Sequence, residues 1–148
     1  TNKNTYPLCK KHTHYIMPVD MLIAFVNSSD NLHNAADRLF LKIKEKKITN
    51  TAVATSAYLE YELIHKSKGY PESEIRTEIT AFQGYLNLDE RTLTSEIILK
   101  ASELRVEIVG LTYFDSLHAS TALLTDRKII STDPIYIIRR KEFLCHLN

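Results

Sequence analysis

Four carboxylates in this chain stand where they could act together: Asp20, Glu60, Asp115 and Asp133. Asp20 follows the short apolar run Tyr15–Val19 and opens the stretch MLIAFVN, while Glu60 lies inside SAYLEYELIHKSK. Asp115 belongs to LTYFDSLHASTALL, and Asp133 closes KIISTD. Three of these acids have an ordinary local explanation. Asp20 suits a helix N-cap, Thr112 to Asp115 has capping-box spacing, and Asp133-Pro134 is a turn signal. Glu60 is harder to explain, because its helical neighbours three and four away are Ser56, Ala57, Leu63 and Ile64. A carboxylate on so apolar a face needs a partner. Glu62, the alternative, neighbours Tyr58, Leu59, His65 and Lys66 and reads as half solvated. Grouped carboxylates repel, and at least one is driven to a high pKa unless a cation lies among them. Oxygen donors without His or Cys ligands select hard ions, Mg²⁺ or Mn²⁺. Such ions activate water and stabilise charge at phosphorus, so phosphodiester hydrolysis is the chemistry this set points to.

The elements that must hold these residues follow from periodicity. Tyr15 to Val19 reads as a strand, and the apolar run after Asp20 as a buried helix. Ser28 to Asn31 is a turn, and residues 31–47 have helical spacing at Leu32, Ala35, Ala36, Leu39, Phe40 and Ile43. Lys42, Lys44, Lys46 and Lys47 at its end suit either the helix dipole or a phosphate-contacting patch. Ile48 to Ala54 reads as a second strand. A helix follows, capped by Thr55 or Ser56 and stopped by Gly69. Pro71 to Leu86 and Thr94 to Leu104 are further helices, and residues 106–111 a short strand or extended link. A helix around Asp115, the strand KIIS, and a last strand near 135–138 or 143–145 complete the chain. Alternation of this kind predicts βαβ units and an α/β fold, with a mainly parallel central sheet flanked by helices on both faces.

The totals narrow the field. The chain has 148 residues, 44% of them hydrophobic, which suits one domain over 15–148 behind an irregular arm at 1–14. The net charge of +1 provides no global field for nucleic acid, so such a partner must rest on a local patch. Arg139, Arg140 and Lys141 form one candidate, against a plain solvated surface. Cys9 and Cys145 read as two reduced thiols, with a bridge between the termini left open. Cys9, His12 and His14 lack the spacing of a zinc module. No apolar run approaches the roughly 20 residues a membrane span needs, and no signal peptide is visible. A cytoplasmic location without membrane contact is the expectation.

The ordered set Asp20, Glu60, Asp115 and Asp133, with FDSLHASTAL before the strand and ISTD after it, resembles the PIN-domain ribonucleases. The compact prokaryotic and archaeal kind, which includes VapC toxins of toxin–antitoxin pairs, is the most similar. The resemblance runs from about Ile16 onward. It implies a metal-dependent endoribonuclease with RNA as substrate, an antitoxin protein as partner, and a homodimer. Asp20, Glu60, Asp115 and Asp133 would then be the catalytic quartet holding Mg²⁺ or Mn²⁺, with the Thr132 hydroxyl supporting it. One departure stands out. Family members often carry a further acid soon after the last aspartate, and here Pro134, Ile135, Tyr136 and Ile137 follow. That leaves open a weakly active or inactive PIN-fold scaffold for RNA or protein. His118, one turn past Asp115, reads either as a packed, hydrogen-bonded side chain or as a general base. A phosphotransferase using Asp20 as nucleophile is disfavoured, because Leu22 stands where a second aspartate is needed.

Overall fold

In the computed structural model, residues 14–86, 88–131 and 144–146 are described. Five parallel strands form one sheet in the order β3-β2-β1-β4-β5. These strands are β1 (Tyr15–Met17), β2 (Thr51–Ala54), β3 (Asp89–Arg91), β4 (Lys128–Ser131) and β5 (Leu144–His146). Between β1 and β2 run α1 (Val19–Val26) and α2 (His33–Lys44). Between β2 and β3 run α3 (Thr55–Ser67) and α4 (Glu72–Leu86), and between β3 and β4 run α5 (Ser95–Glu107) and α6 (Tyr113–Leu124).

Side chains alternate across a strand, and here the alternation splits the core in two. Tyr15, Met17, Val53 and Ile130 point into a cluster with Leu22, Phe40, Tyr61, Ile75 and Phe82 from α1 to α4. Ile16, Ala52, Ala54 and Ile129 point the other way, against Leu104, Ala119 and Ala122 of α5 and α6. Strands buried on both faces carry apolar side chains on both, which is why Tyr15–Met17 and the pair Ile129 and Ile130 show no polar alternation.

Several local readings are corrected. The first strand ends at Met17, because Pro18 takes the N-cap position of α1 and Val19 is already helical. Neither Thr55 nor Ser56 caps α3. Ala54 holds the N-cap position, with no side-chain bond to the helix. The Thr55 hydroxyl accepts instead from the Leu93 amide at 3.0 Å. Residues 106 and 107 finish α5, and Gly110, at φ +87°, turns the chain toward α6, so no strand lies at 106–111. Strand β3 has the sequence DER and lacks any apolar signal. It forms by pairing with Ala52–Ala54, so backbone geometry overrode propensity there.

Other readings hold. Gly69, at φ +83°, ends α3, with the Tyr70 amide bonding back to the His65 carbonyl at 3.1 Å. The helix read from Thr94 is present as α5, with Thr94 itself at the N-cap, accepting from the Ile97 amide at 3.2 Å. Lys42 and Lys44 occupy the last turn of α2, where cations favour the dipole. The last strand falls at Leu144–His146. The arm through residue 13, Cys9, the alternative strand at 135–138, Thr132, Asp133, Arg139, Arg140 and Lys141 lie outside the described residues. Among the described residues no helix is long and apolar enough to cross a membrane.

Candidate functional site

The sheet order defines where a site belongs. The chain steps outward from β1 to β2 to β3, then returns to place β4 on the other side of β1. The order therefore switches between β1 and β4, and ligands of open α/β sheets bind outside the carboxyl ends of the strands at such a point. Asp20 is the second residue of α1, just past the carboxyl end of β1. Glu60 is in the second turn of α3, the helix that leaves the carboxyl end of β2. Asp115 is in the first turn of α6, which descends antiparallel to β4 and so begins at the same edge.

Each acid is held differently. Asp20 does not cap α1, and its Oδ1 accepts from the Met21 amide at 2.9 Å. Asp115 is oriented through its backbone, because its amide donates to the capping hydroxyl of Thr112 at 3.3 Å. The helix behind it is locked in place, with residues Ser116 to Ala122 all buried. Arg105 on α5 donates to Ser116 Oγ at 2.6 Å, and its guanidinium lies 5.1 Å from the centre of the Tyr113 ring. Ser120 donates to the Ile97 carbonyl at 2.7 Å.

Glu60 faces inward, as its apolar neighbours require. Its side chain is 14% exposed, and its Oε1 lies 3.3 Å from His118 Nε2. The other ring nitrogen of His118 lies 2.9 Å from Ser56 Oγ. The partner that a buried carboxylate needs is thus a histidine from α6. Glu62 points outward, 3.7 Å from Lys66, which itself lies 2.6 Å from Glu72. The bond to Glu72 holds the Lys66 ammonium above its usual range. Among the described residues no three His, Cys, Asp or Glu side chains are grouped closely enough to hold a metal ion between them. The structure therefore joins Glu60 to His118 and Ser56, and does not by itself bring Asp20, Glu60 and Asp115 into one cluster.

Two further features escape a reading of the chain. Ser56 is visible in sequence only as a helix cap, although its i, i+4 relation to Glu60 puts both on one face. Arg127 is buried beneath the opposite edge of the sheet, where Nη1 donates to the carbonyls of Tyr15 at 3.1 Å and Asn50 at 2.9 Å. Burial and the nearby Arg91 lower its pKa. Near β3, burial and then the charge of Glu90 push the Tyr58 phenol up to about 12.

A fold of this order, with helices on both faces and acids leading from the carboxyl edge at its switch point, defines an α/β nuclease-like class. The PIN domain family model matches residues 20–143, and the chain belongs to the PIN domain family, whose members are nucleases that generally use divalent metals. A comparison with curated proteins returned no match. Solved structures share the fold at low identity. VapBC2 from Rickettsia felis, bound to a promoter DNA fragment, superposes with a TM-score of 0.69 at 16% identity, over 92% of this chain and 100% of that one. FitAcB from Neisseria gonorrhoeae gives 0.60 at 10% identity, over 90% and 96% of the two chains. A toxin–antitoxin complex from Klebsiella pneumoniae gives 0.56 at 16% identity, over 80% and 86%.

Proposed function

We infer that the chain is a metal-dependent endoribonuclease and the toxin of a toxin–antitoxin pair. The observation that carries this reading is positional. Within a PIN fold, Asp20, Glu60 and Asp115 leave three different helices at the carboxyl edge flanking the switch between β1 and β4. Asp133 follows the last residue of β4 by two positions in the sequence. The toxin assignment draws on the solved structures of the same fold, among them a toxin–antitoxin complex.

The donor chemistry fits a hard divalent cation. All four groups are carboxylates, and Glu60, largely shielded from solvent, would gain a strong counter-charge from an ion. Asp20, Glu60, Asp115 and Asp133 would hold Mg²⁺ or Mn²⁺, and Thr132 would lend its hydroxyl nearby. When bound, the ion supplies activated water and charge stabilisation at phosphorus. The protein's own part is orientation. Thr112 and the buried body of α6 aim Asp115, and His118 holds Glu60. Arg139, Arg140 and Lys141 are the cations we assign to the RNA backbone.

The test is cleavage of a mixed RNA substrate by the purified chain with and without Mn²⁺. We expect metal-dependent cleavage in the wild type and a loss of at least roughly 100-fold in Asp115→Asn, with folding retained. A wild-type chain that binds RNA without cutting it would favour the scaffold reading, to which the absence of an acid just after Asp133 points.

A further inference from the structure

The contact between α3 and α6 contains a hydrogen-bonded chain that reaches beyond the four acids. Ser56 and Glu60 project from one face of α3, and His118 stands between them from α6. Ser56 is 1% exposed and His118 3%, so the serine hydroxyl is closed to a substrate. The arrangement is therefore not a hydrolytic triad, despite its Glu-His-Ser composition.

Donor and acceptor roles follow from elementary chemistry. A carboxylate only accepts, so His118 Nε2 carries the proton and donates to Glu60 Oε1. In the neutral imidazole Nδ1 is then an acceptor, and the Ser56 hydroxyl donates to it. The carboxylate thus selects the tautomer, and the Ser56 hydroxyl, able to donate or accept, anchors the far side of the ring. Among the described residues His118 is the only hydrogen-bond partner of this carboxylate, which engages Oε1 and leaves Oε2 to other use.

We propose that His118 is a positioning residue that holds Glu60 ready for a divalent cation, with Ser56 anchoring the imidazole ring. The proposal rests on the metal-dependent reading of this site. A glutamate has three side-chain torsions, and fixing them costs rotamer freedom when an ion binds. A side chain already held by an N–H donor loses less, so the cation binds more tightly. Carboxylate ligands held by an outer partner are a general device of metal sites, and losing that partner typically weakens metal affinity 10- to 100-fold.

The experiment is calorimetric titration of Mn²⁺ into the full chain, with the metal-free melting temperature recorded for each variant. We expect His118→Leu to raise Kd by roughly 10- to 100-fold. Ser56→Ala should raise it less, because the ring loses one anchor but keeps its N–H donor to Glu60. His118→Gln, which keeps an N–H donor, should recover part of the loss. In a Glu60→Gln background, His118→Leu should cause no further loss, since its effect passes through Glu60. Wild-type Kd in folded Ser56→Ala and His118→Gln, or equal losses in His118→Gln and His118→Leu that merely follow falling melting temperatures, would overturn the proposal. Full additivity of His118→Leu and Glu60→Gln would do the same. A wild-type chain that binds no Mn²⁺ overturns the underlying metal reading, an outcome distinct from tight wild-type binding with indifferent variants. Should His118→Leu fail to fold, Ser56→Ala and His118→Gln decide the matter.

Discussion

Glu60 and Glu62 are two residues apart on one helix, yet they lead different lives. Glu60 is 14% exposed and tied to His118, while Glu62 is 36% exposed and pairs with Lys66 at the surface. An exposed ion pair of that kind contributes little, because water screens it. A carboxylate withdrawn from water has far more to gain from a cation. We therefore expect Glu60→Gln to weaken Mn²⁺ binding clearly more than Glu62→Gln in a parallel titration. The reverse order would mean that the other glutamate is the ligand. The distinction was legible in the chain, since Ser56, Ala57, Leu63 and Ile64 surround one acid and Lys66 adjoins the other. The identity of the inward partner was not, because His118 is 58 residues away.

At the scale of elements, the ends of the helices carry most of the specification. Gly69 ends α3 in a left-handed conformation, and the space around a Cβ placed there is open. Gly69→Ala should thus cost backbone strain alone, about 1 kcal/mol by urea denaturation. A neutral result would show that the α3 terminus rearranges without penalty. Helices with clear periodicity, such as α2 and α5, could be placed from sequence within a few residues. The first strand and the segment at 106–111 could not be bounded as well. Val19, Val106 and Ile108 have β-favouring side chains, but Pro18 starts one helix and Gly110 closes the turn after another. Strand β3 had no local signal at all, because Asp89–Arg91 is a strand only by virtue of the edge offered by β2.

For the molecule as a whole, two expectations follow from the proposed acidic site on a chain whose net charge is only +1. An ion that binds only the folded chain stabilises it by mass action, by about 2.7 kcal/mol at a hundred times Kd. Millimolar Mn²⁺ should therefore raise the melting temperature of the wild type by several degrees, and less so in Asp115→Asn. An unchanged melting curve would count heavily against the metal reading. RNA affinity should fall steeply with salt, since it must rest on a few local cations releasing counterions from the phosphates. A flat salt response in a filter-binding assay would remove the RNA backbone as the ligand.

Taken alone, the chain determined the alternation of strands and helices, and with it the parallel α/β architecture and the edge on which its acids fall. Those features are written in short-range periodicity and capping, which neighbouring residues decide among themselves. Only the tertiary structure decided that Ser56, Glu60 and His118 meet, that Arg127 closes the far edge of the sheet, and that the polar segment Asp89–Arg91 joins it. Each of those depends on contacts between residues distant in sequence. Such contacts follow from how whole helices and strands pack, which no local pattern records.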